Sequence, residues 1–484
     1  MKSSNRRFLF GILVLFLCVD LLTSAYHYYH LSFDGDLTKI GTPIKWYEAI
    51  MQDPFGIHAV TTGEMYSGAG RYMCHWFTVF WCKYVFDLIH TFVANPVVSI
   101  YIMTASIAML VHVMFLWIVM LYVRVIKPLD RFYTIFLWCF ATIFIQYGDF
   151  YHSIGIIDRS PSYIFFYGLQ LMFLAFYFYP FFKLFHQSEN RFSILTHIFL
   201  IIASIYLAFS SVLVQPVFFV LLAVLFVAYL LFRKDTKWNH FFKNKSVILH
   251  FSLFFLLCVY AFYVSKYNSE RTSITTVSER YYLLLKGIYY LLTYDLALPL
   301  IGLLLGVNYY LIKKSTHSDW IQRFNRNYIL IALFAILYIG LLPLGGYRTY
   351  RPFIVRYDTF LPVTLALVYL CVSTTIYLLS TLQWSNRTKG YFIFIATFML
   401  FFTYADRNLE RNHNACQHEV LYYMHRNHDT IIPMPLHCNV GTWNTTDYHD
   451  QEVMITLNKL YKQWDIIEPN QTLKVVKNEK NHNK

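Results

Sequence analysis

Charge is scarce in this chain. Only 14% of its 484 residues are Asp, Glu, Lys or Arg, whereas 57% are hydrophobic and 20% aromatic. A water-soluble surface cannot be covered from that stock, so an ordinary soluble globular protein is excluded. Carboxylates are the scarcer sign, 27 against 40 Lys and Arg, and they become informative wherever they gather. The resulting net charge of +13 does not point to nucleic acid, because the basic residues fall in short clusters between apolar runs. Headgroup attraction and control of topology account for such clusters. No Cys-x-x-Cys occurs among the eight cysteines, which leaves no cysteine-based metal site. Four of them, Cys18, Cys139, Cys258 and Cys371, lie inside apolar runs, where cysteine acts as a small hydrophobe. There is also no clear internal repeat and little charge within the runs, so the usual sequence marks of a two-halved transporter are missing.

What the chain has in quantity is apolar runs. Lys2, Arg6 and Arg7 precede the stretch from Phe8 to Ala25, which lacks a small-x-small cleavage site and reads as an uncleaved first span. Ten more runs near the length that crosses a bilayer follow at 97–123, 132–147, 163–182, 194–210, 212–232, 247–265, 295–312, 328–344, 359–381 and 391–405. The connectors tested by the positive-inside rule carry Arg124, Lys127 and Arg131; Lys183 and Arg191; Arg233, Lys234, Lys237, Lys243 and Lys245; Lys313, Lys314, Arg323 and Arg326; and Arg387 with Lys389. Basic connectors alternate with poor ones throughout, so the amino terminus is expected in the cytoplasm and the carboxyl terminus outside. The expected fold is an all-α polytopic membrane protein of about eleven transmembrane helices over residues 1–405, with a first outer loop at 26–96. Residues 406–484 are polar. A strand at Thr430–Pro433 and a helix at Glu452–Trp464 predict a small extracytoplasmic α+β domain, with its last dozen Lys- and Asn-rich residues disordered. Cys416 and Cys438 would then lie on the oxidising side, where they can pair. The histidines at 413, 418, 425 and 428 lack the spacing of a closed zinc site and read as surface-helix residues.

The outer connectors carry few charges, yet those few are grouped against span ends. The first outer loop contains Asp34, Asp36, Glu48, Asp53, Glu64 and Arg71, and a loop this long is usually functional. Asp34-Gly35-Asp36 stands out because a carboxylate there can take a proton from a hydroxyl or hold a divalent metal that bridges phosphates. Trp76, Phe77, Phe80, Trp81, Tyr84 and Val85 recur at three- and four-residue spacings, which predicts an amphipathic helix on the bilayer surface. A second group offers Asp149, His152, Asp158 and Arg159. A third is the run KYNSERTSITTVSERYY at 266–282, and a fourth, from 345 to 359, offers Arg348, Arg351 and Arg356 with Asp358, interleaved with Tyr347, Tyr350 and Tyr357. Guanidinium forks suit phosphate oxygens, although the same residues can snorkel to lipid phosphates or pair with Asp358.

This layout resembles the GT-C class of membrane glycosyltransferases, in an uncharacterised bacterial branch. The matching features are the many spans, an aspartate in a long first outer loop, interfacial helices in that loop, and the run GYRTYRPFIVRYDT followed by LP. The resemblance implies transfer of a sugar from a polyprenyl-phosphate donor to a glycan, lipid or protein acceptor on the outer face of a bacterial inner membrane, as part of cell-envelope glycan biosynthesis. It further implies Asp34 or Asp36 as the catalytic carboxylate, and Arg348, Arg351 and Arg356, joined by Arg71, as donor-phosphate ligands. The acidic unit is Asp-Gly-Asp and not an adjacent pair, so the choice between the two aspartates, and the use of a metal, stay open. A lipid-linked oligosaccharide flippase or transporter, or a polysaccharide polymerase, is the competing expectation.

The alternation of charge sets a test of topology. Single-cysteine labelling from outside the cell is expected to modify positions 34, 351 and 443, whereas position 243 is expected to react only after the membrane is opened. Cytoplasmic labelling at 443 would overturn the assignment.

Overall fold

The computed structural model describes residues 3–43, 45–145, 155–187, 191–270, 275–294, 296–314, 318–345, 347–348, 351–382, 386–406 and 415–475. The molecule is almost wholly helical, and it is an integral-membrane type of structure by the length and apolarity of its helices. Among the described residues seven helices qualify: Asn5–Tyr29, Pro96–Ile126, Pro161–Gln187, Val214–Phe232, Lys245–Tyr267, Trp320–Gly345 and Tyr357–Thr381. An eighth is added if Val277–Thr293 and Ala297–Lys313 are counted as one broken span. Of the other runs expected to cross, 194–210 and 391–405 are short apolar helices, Ile194–Ala208 and Thr388–Tyr404. The run at 132–147 forms a helix of only 12 residues, Arg131–Thr142.

Helices are the natural outcome here, because a bilayer offers no water to backbone groups and each span must satisfy its own. Their starts are marked locally. Asn95 caps the helix Pro96–Ile126 by accepting from Val98 N at 3.2 Å, and Pro96 occupies the first turn, where its missing N–H costs nothing. Asp130, Ser193 and Thr276 cap the helices that follow them in the same way. Pro96–Ile126 and Tyr357–Thr381 lie at the centre, with long runs of buried side chains. The first helix packs on Pro96–Ile126 and on Arg131–Thr142. Leu15, Val19, Leu22, Ile198, Ile202, Leu256, Ile336 and Ile393 remain exposed around the bundle. An apolar rim of this extent is stable only against hydrocarbon.

Short elements cover one end of the bundle. Gly35–Gly41 is a small helix just beyond the first span. Tyr72–Phe80, a π turn at Trp81–Val85 and Phe86–His90 form one bent amphipathic rod. Its Cys74, His75, Thr78, Cys82 and Phe86 are buried, while Trp76 and Tyr84 on the other side are exposed. The aromatic stripe expected to face the bilayer is therefore split: Trp76 and Tyr84 point outward, whereas Phe77, Trp81 and Val85 pack on the bundle.

The carboxyl-terminal segment is laid over these elements. Its helix Ala415–Arg426, a parallel pair of three-residue strands, Ile431–Pro433 and Thr472–Lys474, and the helix Gln451–Gln463 coincide with the strand and helix expected from sequence. Cys416 and Cys438 are disulfide-bonded, with Cα atoms 6.1 Å apart. Several contacts join this segment to the first loop. Gln417 brackets Phe33, accepting from its N at 2.8 Å and donating to its carbonyl at 3.0 Å. Trp464 Nε1 donates to the Cys82 carbonyl at 2.8 Å. Gly441, at φ 66°, lies so close to the loop helix that an added Cβ would sit 2.6 Å from Thr38 Oγ1.

Gly441→Ala is expected to loosen this seat, since it combines a left-handed backbone with a steric conflict, at a cost of about 1–3 kcal/mol. Limited proteolysis of the purified protein should cut the carboxyl-terminal segment faster in the variant, and an unchanged rate would show that the contact is not limiting.

Candidate functional site

The end of the bundle covered by the first loop collects ionisable groups from five distant parts of the chain. Asp34 caps the helix Gly35–Gly41 and is buried. Both of its oxygens are occupied: Oδ1 accepts from Leu37 N at 2.8 Å and Oδ2 from Ser162 N at 2.9 Å. Burial, reinforced by the negative charge of Asp36, still pushes its pKa up to about 6. Asp36, two residues on, is only half-buried. It accepts a hydrogen bond from Trp443 Nε1 at 3.1 Å. Burial raises its pKa as well, against the lowering effect of the Trp443 hydrogen bond and of Lys39. Gly35 between them makes the Trp443 contact feasible, because a Cβ there would lie 2.8 Å from both Trp443 N and Cδ1.

Beside this pair lies a salt-bridged centre. Glu270 receives Arg71 Nη2 at 2.5 Å and Arg348 Nη2 at 3.1 Å on one oxygen, and the Tyr47 hydroxyl at 2.7 Å on the other. Burial works to raise the Glu270 pKa, but Arg71, Tyr47 and Arg348 outweigh it and hold the carboxyl at about 2. His75 stands behind Arg71, buried, its ring 5.0 Å from those of Tyr47 and Phe166. Neither of its ring nitrogens has a hydrogen-bond partner among the described residues. Burial and the Arg71 charge lower its pKa to about 3, so it is a neutral imidazole.

The third group comes from the starts of two spanning helices. Arg356 Nη2 contacts Asp358 Oδ2 at 2.5 Å, and Asp358 Oδ1 accepts from Thr359 N at 2.8 Å. Asp158 is buried, accepts from Ser160 N at 2.6 Å and is hydrogen-bonded to the Tyr357 side chain. Burial, with Asp358 and Asp34 nearby, drives its pKa up to about 7. Tyr163 and Tyr167 join the groups, since Tyr163 feels the charges of Asp36, Asp358 and Arg351, and Tyr167 those of Asp358, Arg356, Arg351 and Arg71.

The structure thus brings Asp34, Asp36, Asp158, Arg71, Arg348, Arg351 and Arg356 to one end of the molecule. Asp149 and His152 lie outside the described residues, as does His413. Arg159 is in the same turn as Asp158, but none of the contacts above involves its side chain. Asp53 belongs elsewhere in the loop, where it accepts from Ala59 N and the Tyr66 hydroxyl. Among the described residues no three His, Cys, Asp or Glu side chains gather as a metal set. His418 packs on Tyr101 and Tyr422, and His428 faces Glu468.

Several participants escape a reading by sequence. Glu270 is the carboxylate that ties Arg71 to Arg348, and the sequence marks it only by its place in the charged outer group at 266–282, not by a role. Trp443 and Gln417 reach the site from 400 residues away, which no local pattern signals. Asp20, within the first spanning helix, accepts from Thr142 Oγ1 at 2.6 Å; Thr142 meets His112 Nε2 at 2.8 Å, and His112 Nδ1 meets the Tyr28 hydroxyl at 3.1 Å. A charge scan of the apolar run could have found Asp20, but not its partners.

No protein-family model matches the sequence, and no curated protein is significantly similar to it.

The unusual carboxyls shape the pH dependence of stability, against the neutral His75 imidazole, which costs stability as pH falls below 6.5; the carboxyl contribution is therefore read as the difference between wild type and variant. Asp34 and Asp158, raised in the fold, destabilise it when ionised, so their penalty is complete above pH 7 and is relieved as pH falls through 7 and 6 toward the unfolded value near 4. Glu270, depressed, contributes stability above about pH 4.5 that is lost on acidification toward 2. From pH 8 to about 5 the wild-type melting temperature in detergent should therefore gain on that of Asp158→Asn, and below 4 both should fall. A difference between the two that does not vary with pH would refute the assignment.

Proposed function

We propose that the protein is a membrane glycosyltransferase that moves a sugar from a polyprenyl-phosphate donor to an acceptor hydroxyl on the extracytoplasmic face. One observation carries this reading: Asp34, Asp36, Asp158 and Glu270 and the guanidiniums of Arg71, Arg348, Arg351 and Arg356 converge at one end of an apolar bundle. Glycosyl transfer from a phosphate needs both kinds of group at once. A carboxylate takes the acceptor proton, and cations stabilise the charge that develops on the leaving phosphate. Asp36 suits the first role better than Asp34, because it is partly exposed and, among the described residues, its carboxylate is held by Trp443 alone, whereas both Asp34 oxygens are bound to backbone N–H groups. Asp34 is then the positioning residue that aims the short helix. Arg351 and Arg356, next to Tyr163 and Tyr167, are the proposed phosphate ligands, while Arg71 and Arg348 keep Glu270 in place and add positive potential. A divalent metal held by Asp36 and the donor phosphate is compatible with this arrangement.

In this reading about eleven segments cross the bacterial inner membrane, counting the short apolar helices, with the amino terminus inside. The Cys416–Cys438 disulfide supports an extracytoplasmic carboxyl-terminal segment, since such bonds persist in oxidising compartments. A second reading, a proton-linked transporter of a lipid-linked glycan, draws on the Asp20–Thr142–His112–Tyr28 chain, because buried ionisable groups within spans commonly mark proton pathways.

The two readings part in one assay, sugar transfer from a synthetic polyprenyl-phosphate donor by purified protein, with and without chelator. Asp36→Asn is expected to cut transfer by about 10²-fold or more with normal melting, and Asp34→Asn to lower both transfer and melting temperature. Arg351→Ala should weaken donor use by about 10- to 100-fold, with partial rescue by Lys, which keeps charge but loses the fork. Normal transfer by both Asn variants would remove the catalytic reading, and wild-type flux abolished by Asp20→Asn without any transfer activity would establish the transporter.

A further inference from the structure

The helices enclose an apolar cavity of about 400 Å³. Its walls are aromatic and aliphatic, with Phe115, Phe178, Phe182, Phe334 and Leu365 among them, and its polar lining is His186, Arg326 and Asn327 with Tyr122, Tyr369 and Trp238. His186 and Arg326 share one end. Arg326 Nη1 meets Asp235 Oδ2 at 3.1 Å, its guanidinium lies 5.7 Å from the Phe185 ring, and Phe185 in turn packs 4.8 Å from Trp238, another wall residue. Arg323, Arg326 and Lys237 all lie within electrostatic reach of His186. The cavity is thus an oily chamber with a cationic mouth.

Protein interiors pack closely, and an empty space of this size forfeits dispersion contacts along its whole wall. Water does not compensate, because an apolar wall offers it no hydrogen-bond partners. The volume falls in the range of sites that enclose small ligands, roughly 300–1,000 Å³. An occupant must therefore be apolar in the chamber and anionic at the mouth. We infer that the cavity is a binding site for an anionic phospholipid, with acyl chain among the phenylalanines and phosphate against Arg323, Arg326 and Lys237. Basic pockets between spanning helices on the side rich in Lys and Arg are where anionic headgroups are held. The inference does not depend on glycosyl transfer, since none of these residues belongs to the cluster around Asp36.

Native mass spectrometry of the full chain released from nanodiscs of equal phosphatidylglycerol and phosphatidylcholine tests it. The wild type is expected to retain phosphatidylglycerol, and the double variant Arg323→Gln, Lys237→Gln to lose that preference by about tenfold or more, each cation near the surface contributing to headgroup attraction. Both substitutions spare Arg326 and its Asp235 partner. Ala366→Trp, which narrows the chamber, should reduce retention of both lipids while the melting temperature in detergent stays within a few degrees of wild type. Equal retention of the two lipids by the wild type, no retained lipid, an unchanged preference in the double variant, or preferential retention of a polyprenyl phosphate would overturn the assignment. If the double variant does not fold, Ala366→Trp decides alone, because undiminished lipid retention with the chamber narrowed is equally fatal to the assignment.

Discussion

The ionic centre at Glu270 is the constraint on which the covered end of the molecule depends. Three donors from three segments, Tyr47, Arg71 and Arg348, converge on one buried carboxylate. An unpaired charge at the edge of a bilayer costs several kcal/mol, so none of these groups can be withdrawn without stranding the others. The centre thereby fixes the first loop against the connector before Val277 and the turn before Tyr357. Asp36, Asp158 and the Arg356–Asp358 pair take their places around it.

A second constraint comes from the carboxyl-terminal segment. Gln417 reads both backbone groups of Phe33, the residue before Asp34, and Trp443 hydrogen-bonds Asp36. The Cys416–Cys438 bond holds the start of the helix that carries Gln417 to the strand-side loop that carries Trp443. The orientation of the Asp34–Asp36 helix is thus set from two directions, by its own cap and by chain 400 residues away. This double support is suited to holding two carboxylates of different environment close together: one buried and occupied by backbone donors, the other partly open.

Charge also organises the opposite end, in a different manner. There the cations are more numerous than the carboxylates that face them, and they border an apolar chamber. The two ends of the bundle therefore differ in kind. Around Glu270 opposite charges neutralise one another in a compact cluster, whereas around Arg326 positive charge is left in excess of Asp235 among the described residues. The first arrangement fits a site where protons and phosphate charge are handled, and the second a surface that meets anionic lipid.

What the sequence determined by itself follows from patterns that are local or additive. Apolar runs and basic connectors specify a helical membrane protein, because hydrocarbon burial and backbone satisfaction depend only on run length and composition. Asn95-Pro96, the strand at Ile431 and the helix at Gln451 are likewise legible from neighbours in sequence. The grouping of Asp34, Asp36 and the arginines near span ends was visible as an excess of charge where charge is rare. Whether a run of 12 to 17 residues crosses was not, since length alone leaves Arg131–Thr142 and Ile194–Ala208 short of a bilayer. Only the tertiary structure decided that Asp34 is buried and bound by Ser162 N while Asp36 is half-open beneath Trp443. It also paired Arg71 and Arg348 through Glu270, and linked Asp20 to His112 through Thr142. Those outcomes rest on distances between residues far apart in the chain, and a pKa or a hydrogen bond is set by what packs against a group, not by its neighbours in sequence.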